Sequence, residues 1–354
     1  MNRRTFLKAA SAAAASAAAY AAPSLALPAA GGAASTMGIV QYSFGRNPAS
    51  RSAYEFLDFC HSFGAAGVQV GLDSLDPAYV DKVRRRAEEL RMYFEAIVEL
   101  PKPDGSGNFE QAVAAAKRAG AVCMRTACLG GRRYEVFTSL DQWNQFVKNS
   151  HERIRRALPV IEKYKIPLGI ENHKDWTADE DAALLKHYDS EYLGACIDTG
   201  NNMALLDNPT YLAETLAPYA VTTHFKDVGL EEYPEGFKVS EVPLGQGILD
   251  LKRMVSAIHH ARPKARFNLE MITRNPLAIP CLTDKYWVTF PQRNGKYLAD
   301  ALTLVRAHRR SEPLPVVSTL SHDGQIDLEK QNVRACMSYA RSDLGMTAGG
   351  TASG

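Results

Sequence analysis

The sequence predicts an α/β protein whose main part is a (β/α)8 TIM barrel, followed by a C-terminal helical extension. Short apolar segments alternate regularly with amphipathic segments, which predicts a parallel sheet covered by helices. Eight such pairs are the number that closes a barrel. No G-x-G-x-x-G motif follows the first predicted strand, which disfavours the rival α/β architecture, an open doubly wound sheet.

The predicted elements follow one another in strict alternation. The strands are predicted at 38–44, 66–71, 92–98, 121–127, 167–172, 193–199, 220–225 and 265–272. The helices are predicted at 51–63, 77–90, 109–119, 141–164, 178–187, 208–217, 250–261 and 295–310. Asp141 and Asp250 are the predicted N-caps of the fourth and seventh helices. Residues 227–247 are predicted to form a loop in which Gly245-Gln246-Gly247 is a turn.

The barrel is predicted to occupy residues 36–310, and the extension residues 311–354. Within the extension, 325–344 has a helical pattern and is expected to pack on the outside of the barrel. The last ten residues are rich in Gly, Ala, Ser and Thr, which predicts a disordered tail.

Residues 1–30 have the pattern of a twin-arginine signal peptide rather than of folded structure. Arg3 and Arg4 precede a hydrophobic pair and Lys8, and an alanine-rich stretch follows at 9–22. That stretch is short for a membrane span, so we expect no stable membrane anchor. The sequence therefore predicts a periplasmic or secreted protein that uses the twin-arginine export machinery.

Composition limits the class of function. The chain has 354 residues, with 41 Lys and Arg against 39 Asp and Glu, and 46% hydrophobic residues. These values are typical of a folded globular protein and exclude a disordered chain. A formal net charge of +2 argues against nucleic-acid binding, which usually needs a basic surface. The expected partner is a small molecule, and the sequence leaves a homo-oligomer open.

Each predicted strand carries one polar residue in an apolar setting. They are Gln41, Gln69, Glu95, Arg125, Glu171, Asp198, His224 and Glu270. Functional groups of such barrels lie at the C-terminal ends of the strands. Because a buried charge is costly unless it is paired or bound to a metal, these residues call for a shared function. The alternative is that some strands are wrongly predicted and that these groups are solvated.

The last four of these residues form a candidate metal site. Glu171, Asp198, His224 and Glu270 supply three carboxylates and one imidazole, a set that suits Mn²⁺, Mg²⁺ or Co²⁺, with Zn²⁺ as a further option. Three carboxylates exceed the charge of a divalent ion by one. This balance favours a neutral polar substrate over a polyanion.

Four motifs give the sequence a specific resemblance. They are Gly169-Ile170-Glu171-Asn172-His173, Cys196-Ile197-Asp198-Thr199-Gly200-Asn201, Thr223-His224-Phe225-Lys226-Asp227 and Asn268-Leu269-Glu270. In this order they resemble the xylose isomerase-like barrel superfamily, and in particular the sugar phosphate isomerase/epimerase family, which includes ketose 3-epimerases and inosose dehydratases. The resemblance extends over about residues 36–310, in keeping with the predicted barrel.

The resemblance implies roles for these residues. Glu171, Asp198, His224 and Glu270 are expected to bind one divalent metal ion, Mn²⁺ in the first place. Glu171 and Glu270 are expected to be catalytic and to exchange protons with the substrate. The implied activity is a metal-dependent isomerase or epimerase of a sugar or sugar-like polyol, which abstracts a proton next to a carbonyl and forms a metal-bound enediolate.

One position departs from the family pattern. Ketose epimerases carry a His three residues after the metal-binding Asp, where this chain has Asn201. Asn can bind a hydroxyl group but cannot shuttle protons at neutral pH. Two alternatives therefore stay open: a dehydratase-like lyase or hydratase that acts on 3-keto-glycosides or keto-polyols, and a sugar-binding barrel without catalysis.

Five further residues are predicted to bind the substrate. They are His173, Asn201, Lys226, Arg125 and Glu95. Lys226 lies two residues after His224, which puts both side chains on the same face of a strand. For Lys226 the alternative is an ion pair with Asp227. For Arg125 the alternatives are support of a metal-binding carboxylate or a structural pair with Glu95.

Overall fold

We describe the fold from a computed structural model, which covers residues 36–102, 104, 107–310 and 312–347. The predicted signal peptide and most of the predicted C-terminal tail lie outside these residues. Both therefore stay predictions, as do the domain boundaries drawn from the sequence.

Eight parallel strands form a barrel that is nearly closed. They are β1 (Met37–Val40), β2 (Gly67–Gly71), β3 (Tyr93–Ile97), β4 (Met124–Ala127), β5 (Leu168–Glu171), β6 (Leu193–Asp198), β7 (Ala220–His224) and β10 (Phe267–Leu269). Each strand pairs with the next, and β10 pairs with β1. Backbone hydrogen bonds of Phe225 to Asn268 (2.7 Å) and of Glu270 to Phe225 (3.0 Å) join β7 to β10. The predicted fold class is confirmed.

Helices surround the barrel. They are α1 (Ala53–His61), α2 (Pro77–Glu89), α3 (Phe109–Arg118), α4 (Arg133–Val136), α5 (Leu140–Tyr164), α6 (Ala178–Tyr188), α7 (Pro209–Leu216), α8 (Leu251–Ala261), α9 (Asp284–Trp287), α10 (Gly295–Ala307) and α11 (His322–Ser342). The predicted helices correspond to α1, α2, α3, α5, α6, α7, α8, α10 and α11. In the part of the chain that the structure describes, no helix is both long enough and apolar enough to span a bilayer.

Side-chain caps fix where the helices begin. Asp250 caps α8 as predicted, because its carboxylate accepts a hydrogen bond from the backbone N–H of Arg253 at 3.1 Å. The prediction of Asp141 as the cap of α5 is wrong. Ser139 has extended backbone geometry there, and its hydroxyl accepts from the N–H of Gln142 at 3.2 Å. Asp141 instead lies in the first turn, where a carboxylate stabilises the helix dipole.

All eight barrel strands are shorter than the sequence predicts, and β1 and β10 end before the polar residues that the sequence assigns to them. β1 ends at Val40, and Gln41–Phe44 turns into a 3₁₀ helix. Gln41 accepts a hydrogen bond from the N–H of Gly71 at 2.8 Å, so its polar group ties this turn to the end of β2. β10 ends at Leu269, so Glu270 lies just beyond its strand.

The predicted loop at 227–247 is largely wrong, because most of it is a β-hairpin. β8 (Asp227–Tyr233) and β9 (Gly236–Val242) pair antiparallel, and β11 (Leu277–Ile279) adds a third strand beside β9. The physical reason is visible in the sequence, since apolar residues recur at every second position. Four of them enter a second apolar core, away from the barrel's main one: Val228, Leu230, Phe237 and Val239.

The Gly245-Gln246-Gly247 turn anchors this hairpin to the barrel. The carboxylate of Asp227 accepts hydrogen bonds from the backbone N–H groups of Gly245 (3.0 Å), Gly247 (2.9 Å) and Leu249 (3.1 Å). Gly245 has φ +82°, and a Cβ atom at Gly247 would collide with the Asp227 carboxylate. Both glycines are therefore required for the turn to wrap around that side chain.

Helix α11 packs against the barrel, as the sequence predicts for its extra helix. Its buried residues Val333, Cys336 and Met337 belong to the same apolar core as the barrel strands and helices. Glu329 pairs with Arg46 in the loop after β1 at 3.2 Å. Helix α11 thus covers one side of the barrel near the first strand.

Candidate metal centre

The four predicted metal ligands converge at the C-terminal end of the barrel. Each of Glu171, Asp198, His224 and Glu270 offers a ligand atom, and these atoms lie within 4.8 Å of one another. All four residues are buried. They come from the last residue of β5, β6 and β7 and from the residue after β10. Because these strands are neighbours in the barrel, residues about 100 positions apart in sequence meet at one point.

His224 is at the centre of this group. Its Nδ1 atom lies 3.2 Å from Oε2 of Glu171 and 3.1 Å from Oε1 of Glu270. Burial alone would lower the pKa of His224, but Cys196 and these two carboxylates raise it well above its usual value. In the absence of a metal, a proton on Nδ1 therefore balances the carboxylates. A metal ion bound there would displace that proton.

The other ring nitrogen of His224 is held by Gln69. Nε2 of His224 lies 2.5 Å from Oε1 of Gln69, and the amide nitrogen of Gln69 donates to Glu95 at 2.9 Å. Since the amide nitrogen of Gln69 donates to a carboxylate, its amide oxygen must accept a hydrogen bond from the Nε2–H group of His224. The neutral ring then keeps its lone pair on Nδ1, which faces the carboxylates.

Glu95 lies on the far side of Gln69 from His224 and is buried. One of its oxygens accepts hydrogen bonds from Gln69 (2.9 Å), Thr222 (2.6 Å) and Asn268 (2.9 Å). Burial raises its pKa above the usual value. The expected pair with Arg125 is absent from the described contacts, because Arg125 turns to Glu171. The position of Glu95 suits the support of Gln69 rather than direct contact with a substrate.

Glu171 is held by two side chains. Arg125 donates to its Oε2 from Nε at 2.7 Å, and Asn201 donates to its Oε1 at 3.0 Å. Although burial favours the protonated form, Arg125 and His224 hold the pKa of Glu171 well below its usual value. Of the alternatives for Arg125, the structure favours support of a metal-site carboxylate.

Lys226 connects two other members of the cluster. Its ammonium group lies 2.8 Å from Oδ2 of Asp198 and forms an ion pair with Glu270. Burial raises the pKa of Asp198 to about 6 against the effect of Lys226. The alternative pairing with Asp227 is wrong, because that carboxylate binds backbone N–H groups instead.

His173 lies beside the cluster and is partly exposed. Its Nδ1 lies 2.9 Å from the carbonyl oxygen of Leu129 and must donate to it, so Nε2 carries a lone pair in the neutral ring. Burial lowers the pKa of His173 to about 4, against the effect of Glu171. The ring is therefore neutral at pH 7 and can accept a hydrogen bond.

Three charged residues of the site are missed by sequence reasoning. Lys174 has φ +64°, in the left-handed region, and its ammonium group donates to Asn201. Glu241 on β9 lies 3.8 Å from Lys226 and pairs with Arg274. A correct prediction of the hairpin would have pointed to Glu241, because β9 ends at the barrel mouth. The left-handed conformation of Lys174 cannot be recognised from the sequence in this way.

The donor set fits a divalent metal ion. Oδ2 of Asp198 and Nδ1 of His224 are buried, and their contacts among the described residues are ion-pair contacts, to Lys226 and to the two glutamates. Four ligand atoms that crowd together in this way, three of them on carboxylates, favour a cation between them. Carboxylate-rich sites with one imidazole suit Mn²⁺ or Mg²⁺. The identity of the ion is not fixed by these residues.

The chain is similar to one curated protein over part of its length. It is 34% identical over 124 residues to the 3-oxo-isoapionate decarboxylase of Pectobacterium atrosepticum. That match covers 34% of this chain and 44% of the relative, so the chain spans less than half of the curated protein that it matches.

Solved structures share the fold at low sequence identity. The D-psicose 3-epimerase of Clostridium cellulolyticum H10 superposes with a TM-score of 0.53 and 13% identity, over 77% of this chain and 99% of that chain. The 3-keto-D-glucoside 4-epimerase of E. coli superposes with a TM-score of 0.52 and 13% identity, again over 77% and 99%. At such identities the likeness concerns the fold alone.

A family profile covers most of the barrel. It is described as a xylose isomerase-like TIM barrel and matches residues 57–301, which include all four residues of the cluster. The chain therefore belongs to the xylose isomerase-like TIM barrel family.

Proposed function

We propose that the protein is a metal-dependent isomerase or epimerase of a sugar or sugar-like polyol. The observation that carries the proposal is the pair of buried glutamates, Glu171 and Glu270, whose carboxylates lie 3.2 and 3.1 Å from Nδ1 of His224. Two carboxylates within reach of one substrate carbon can take a proton from one face and deliver it to the other. Membership of the family and the epimerases among the similar structures agree with this chemistry.

The proposed ligands are Glu171, Asp198, His224 and Glu270, and Mn²⁺ is the proposed ion. When bound, it would supply the Lewis acidity that makes a C–H next to a carbonyl acidic enough for a carboxylate base. Glu171 stays ionised because Arg125 and His224 lower its pKa, so it is ready to accept that proton. Glu270 lies against Lys226, which can supply a proton for the return step.

Two neighbouring residues support substrate binding. His173 presents a neutral ring whose Nε2 lone pair can accept a hydrogen bond from a sugar hydroxyl. Asn201 already binds Glu171 and Lys174, so we propose that it positions these two side chains. This role requires no proton transfer, which fits an Asn where ketose epimerases have a His.

A lyase is the second candidate, and the curated relative is the observation that favours it. That relative is named a decarboxylase of a 3-oxo acid. In such a step the C–C bond to the carboxylate breaks, its electron pair enters an enolate, carbon dioxide leaves, and a proton from an acid such as Lys226 ends on the carbon. The same carboxylates and Lys226 serve a dehydratase-like elimination, in which hydroxide leaves from the carbon β to the carbonyl.

Deuterium incorporation tests the proposal. The Mn²⁺-loaded protein is incubated in D₂O with free ketohexoses and a 3-keto-glucoside, and the sugars are analysed by mass spectrometry and NMR after removal of the metal. We expect deuterium next to the carbonyl, together with a new diastereomer or a shifted carbonyl. Glu270→Gln should reduce exchange at least about 100-fold. The exposed Glu88→Gln is the control and should leave it unchanged.

Other outcomes lead to the alternatives. Release of carbon dioxide, or formation of an unsaturated or hydrated sugar, would indicate a lyase or hydratase. If the wild type binds a sugar without deuterium exchange, and Glu270→Gln changes only the affinity for that sugar, the protein would be a sugar-binding barrel.

We also propose that the protein is exported by the twin-arginine route to the periplasm. The support is the sequence pattern around Arg3 and Arg4. Residues 1–35 fused to a reporter should direct it across the membrane, and replacement of both arginines by lysine should block export. Export that survives this replacement would contradict the proposed route.

A further inference from the structure

The carboxylates of the candidate metal centre are matched by cationic side chains. Hydrogen bonds and ion pairs link both kinds of residue into one network around His224. Its acidic members are Glu171, Asp198, Glu241 and Glu270, and its basic members are Arg125, Lys174, Lys226 and Arg274. Asp175 is nearby but stays outside this network, because its oxygens accept from the backbone N–H groups of Leu129, His173 and Trp176.

This network reverses the charge balance that the sequence suggests. Three carboxylates against a divalent ion leave one negative charge, and hence predict a neutral substrate. With His224 neutral, as it must be when it binds a metal, four carboxylates and four cations balance one another, so a divalent ion adds two positive charges. Most of these side chains are buried, where uncompensated charge is costly. An anionic substrate would remove part of this excess.

Two of the cations converge on one cavity beside the cluster, whose volume of about 10 Å³ leaves room for about one water molecule. Lys174 and Lys226 line it together with Asn201 and Glu241, and apolar residues of the hairpin sheet such as Val239 form its other wall. Lys174 donates only to the amide oxygen of Asn201 among the contacts described, and that oxygen is neutral. Its positive charge therefore has no carboxylate partner, although its side chain is buried.

We propose that the substrate is a keto sugar that carries a carboxylate, that Lys174 and Lys226 bind this carboxylate, and that their side chains move apart to admit it to the cavity. The proposal rests on the proposed function, since it names the substrate class of that site. One negative charge on the substrate leaves one positive charge in the network. Transfer of a proton from the carbon next to the carbonyl to Glu171 then leaves the total charge unchanged, but it moves negative charge onto the substrate, next to the cations of the network. Charge that is stabilised only as it develops accelerates a reaction.

A carboxylate suits the cavity better than a phosphate does. Glu241 lines the same space and would repel a dianion. Val228 and Val239 add apolar surface to the same space, which disfavours a second charge. A singly charged carboxylate meets both conditions, and two ammonium groups can donate to its two oxygens.

Matched sugars test the proposal by binding. D-Fructose, 2-keto-D-gluconate and D-fructuronate share a keto sugar frame and differ in whether one end is a hydroxymethyl group or a carboxylate. Their dissociation constants with Mn²⁺-loaded protein are measured by calorimetry, and fructose 6-phosphate is included as a phosphate probe. We expect at least one carboxylated sugar to bind about tenfold more tightly than D-fructose.

Variants identify the groups responsible. Lys174→Met should reduce the preference for the carboxylated sugar over D-fructose to within about threefold. Lys174→Arg should keep most of this preference, and the exposed Lys186→Met should leave it unchanged. The dissociation constant of Mn²⁺ is measured for each variant as a check that the metal centre is intact. A preference that survives in Lys174→Met would mean that the metal alone binds the carboxylate, and would overturn the proposal.

The remaining outcomes are equally decisive. Equal or weaker binding of both carboxylated sugars, or tightest binding of fructose 6-phosphate, would also overturn the proposal. Because the readout is affinity, it is independent of deuterium exchange. A carboxylate preference without any exchange would contradict the proposed reaction while it supports the substrate class.

Discussion

Nε2 of His224 lies 2.5 Å from the amide oxygen of Gln69, whose amide nitrogen in turn donates to Glu95 at 2.9 Å. This contact places the ring proton on Nε2 and leaves Nδ1 for the carboxylate cluster. Second-layer partners of this kind usually change metal affinity 10- to 100-fold.

The first prediction therefore concerns Gln69. Gln69→Leu should weaken Mn²⁺ binding about 10-fold or more, because the ring of His224 loses the acceptor that fixes its tautomer. Calorimetry or Mn²⁺ electron paramagnetic resonance measures the affinity directly. The exposed Gln145→Leu is the matched control. Unchanged affinity in Gln69→Leu would show that the ring is oriented without this contact.

Lys226 should compete with the metal ion. Its ammonium group lies 2.8 Å from Asp198 and pairs with Glu270, so a divalent ion must share these carboxylates with a positive charge. We predict that Lys226→Met raises the affinity for Mn²⁺ about tenfold. The metal-free variant should be less stable than the wild type, since two buried carboxylates lose their partner. Mn²⁺ should therefore raise the melting temperature of Lys226→Met more than that of Lys186→Met. Weaker Mn²⁺ binding by Lys226→Met would show that Lys226 does not compete with the ion.

The carboxylate of Asp227 should stabilise the hairpin base. It accepts four backbone N–H groups, from Val228, Gly245, Gly247 and Leu249. Asp227→Ala should lower the free energy of unfolding by about 3 kcal/mol, because four backbone N–H groups lose their acceptor at once. Asp250→Ala, which removes a helix cap, should cost only about 1 kcal/mol. Urea denaturation measures both, and equal losses would contradict this role of Asp227.

Asp181 makes stability depend on pH. It is buried in α6, and neither carboxylate oxygen makes a hydrogen bond to the described part of the chain. Burial, and then the charges of Asp175 and Glu180, raise its pKa well above the usual value. An unfolded Asp ionises near pH 4. The folded protein therefore binds more protons above that pH, and the contribution of Asp181 to stability falls as pH rises towards its folded pKa.

Asp181→Asn should remove this dependence. At pH 8 the variant should be more stable than the wild type by about 2 kcal/mol, and near pH 4 the difference should shrink towards zero. Chemical denaturation of both proteins at the two pH values measures it. The exposed Asp327→Asn should change stability by less than about 0.5 kcal/mol. A variant that is less stable at pH 8 would show that ionised Asp181 has a stabilising partner.

Most of the fold can be predicted from the alternation of strands and helices along the sequence. Apolar strand segments and amphipathic helices recur with little interruption, so the barrel and the positions of Glu171, Asp198 and His224 follow from periodicity. The hairpin was missed because residues 227–247 contain four glycines and two prolines, which are also typical of a loop. Attention to the alternation of Val228 and Leu230 would have revealed a strand.

The network around the cluster is harder to predict. Arg125 and Glu171 are 46 residues apart, and their pairing depends on which way two side chains turn inside the barrel. Lys174 enters the site only because its backbone adopts a left-handed conformation that the sequence does not announce. Charge balance at a site is a sum over such contacts, and the sequence identified three of the four carboxylates of the network but missed Glu241, Lys174 and Arg274.

The most direct test of the account is a crystal structure of the protein with Mn²⁺, with anomalous diffraction used to locate the ion. The account predicts one strong anomalous peak at bonding distance from Glu171, Asp198, His224 and Glu270, with Nδ1 as the nitrogen ligand. Asp198→Asn should weaken or abolish the peak. A fully occupied peak elsewhere, or none at these residues under saturating Mn²⁺, would contradict a metal centre and with it the proposed chemistry.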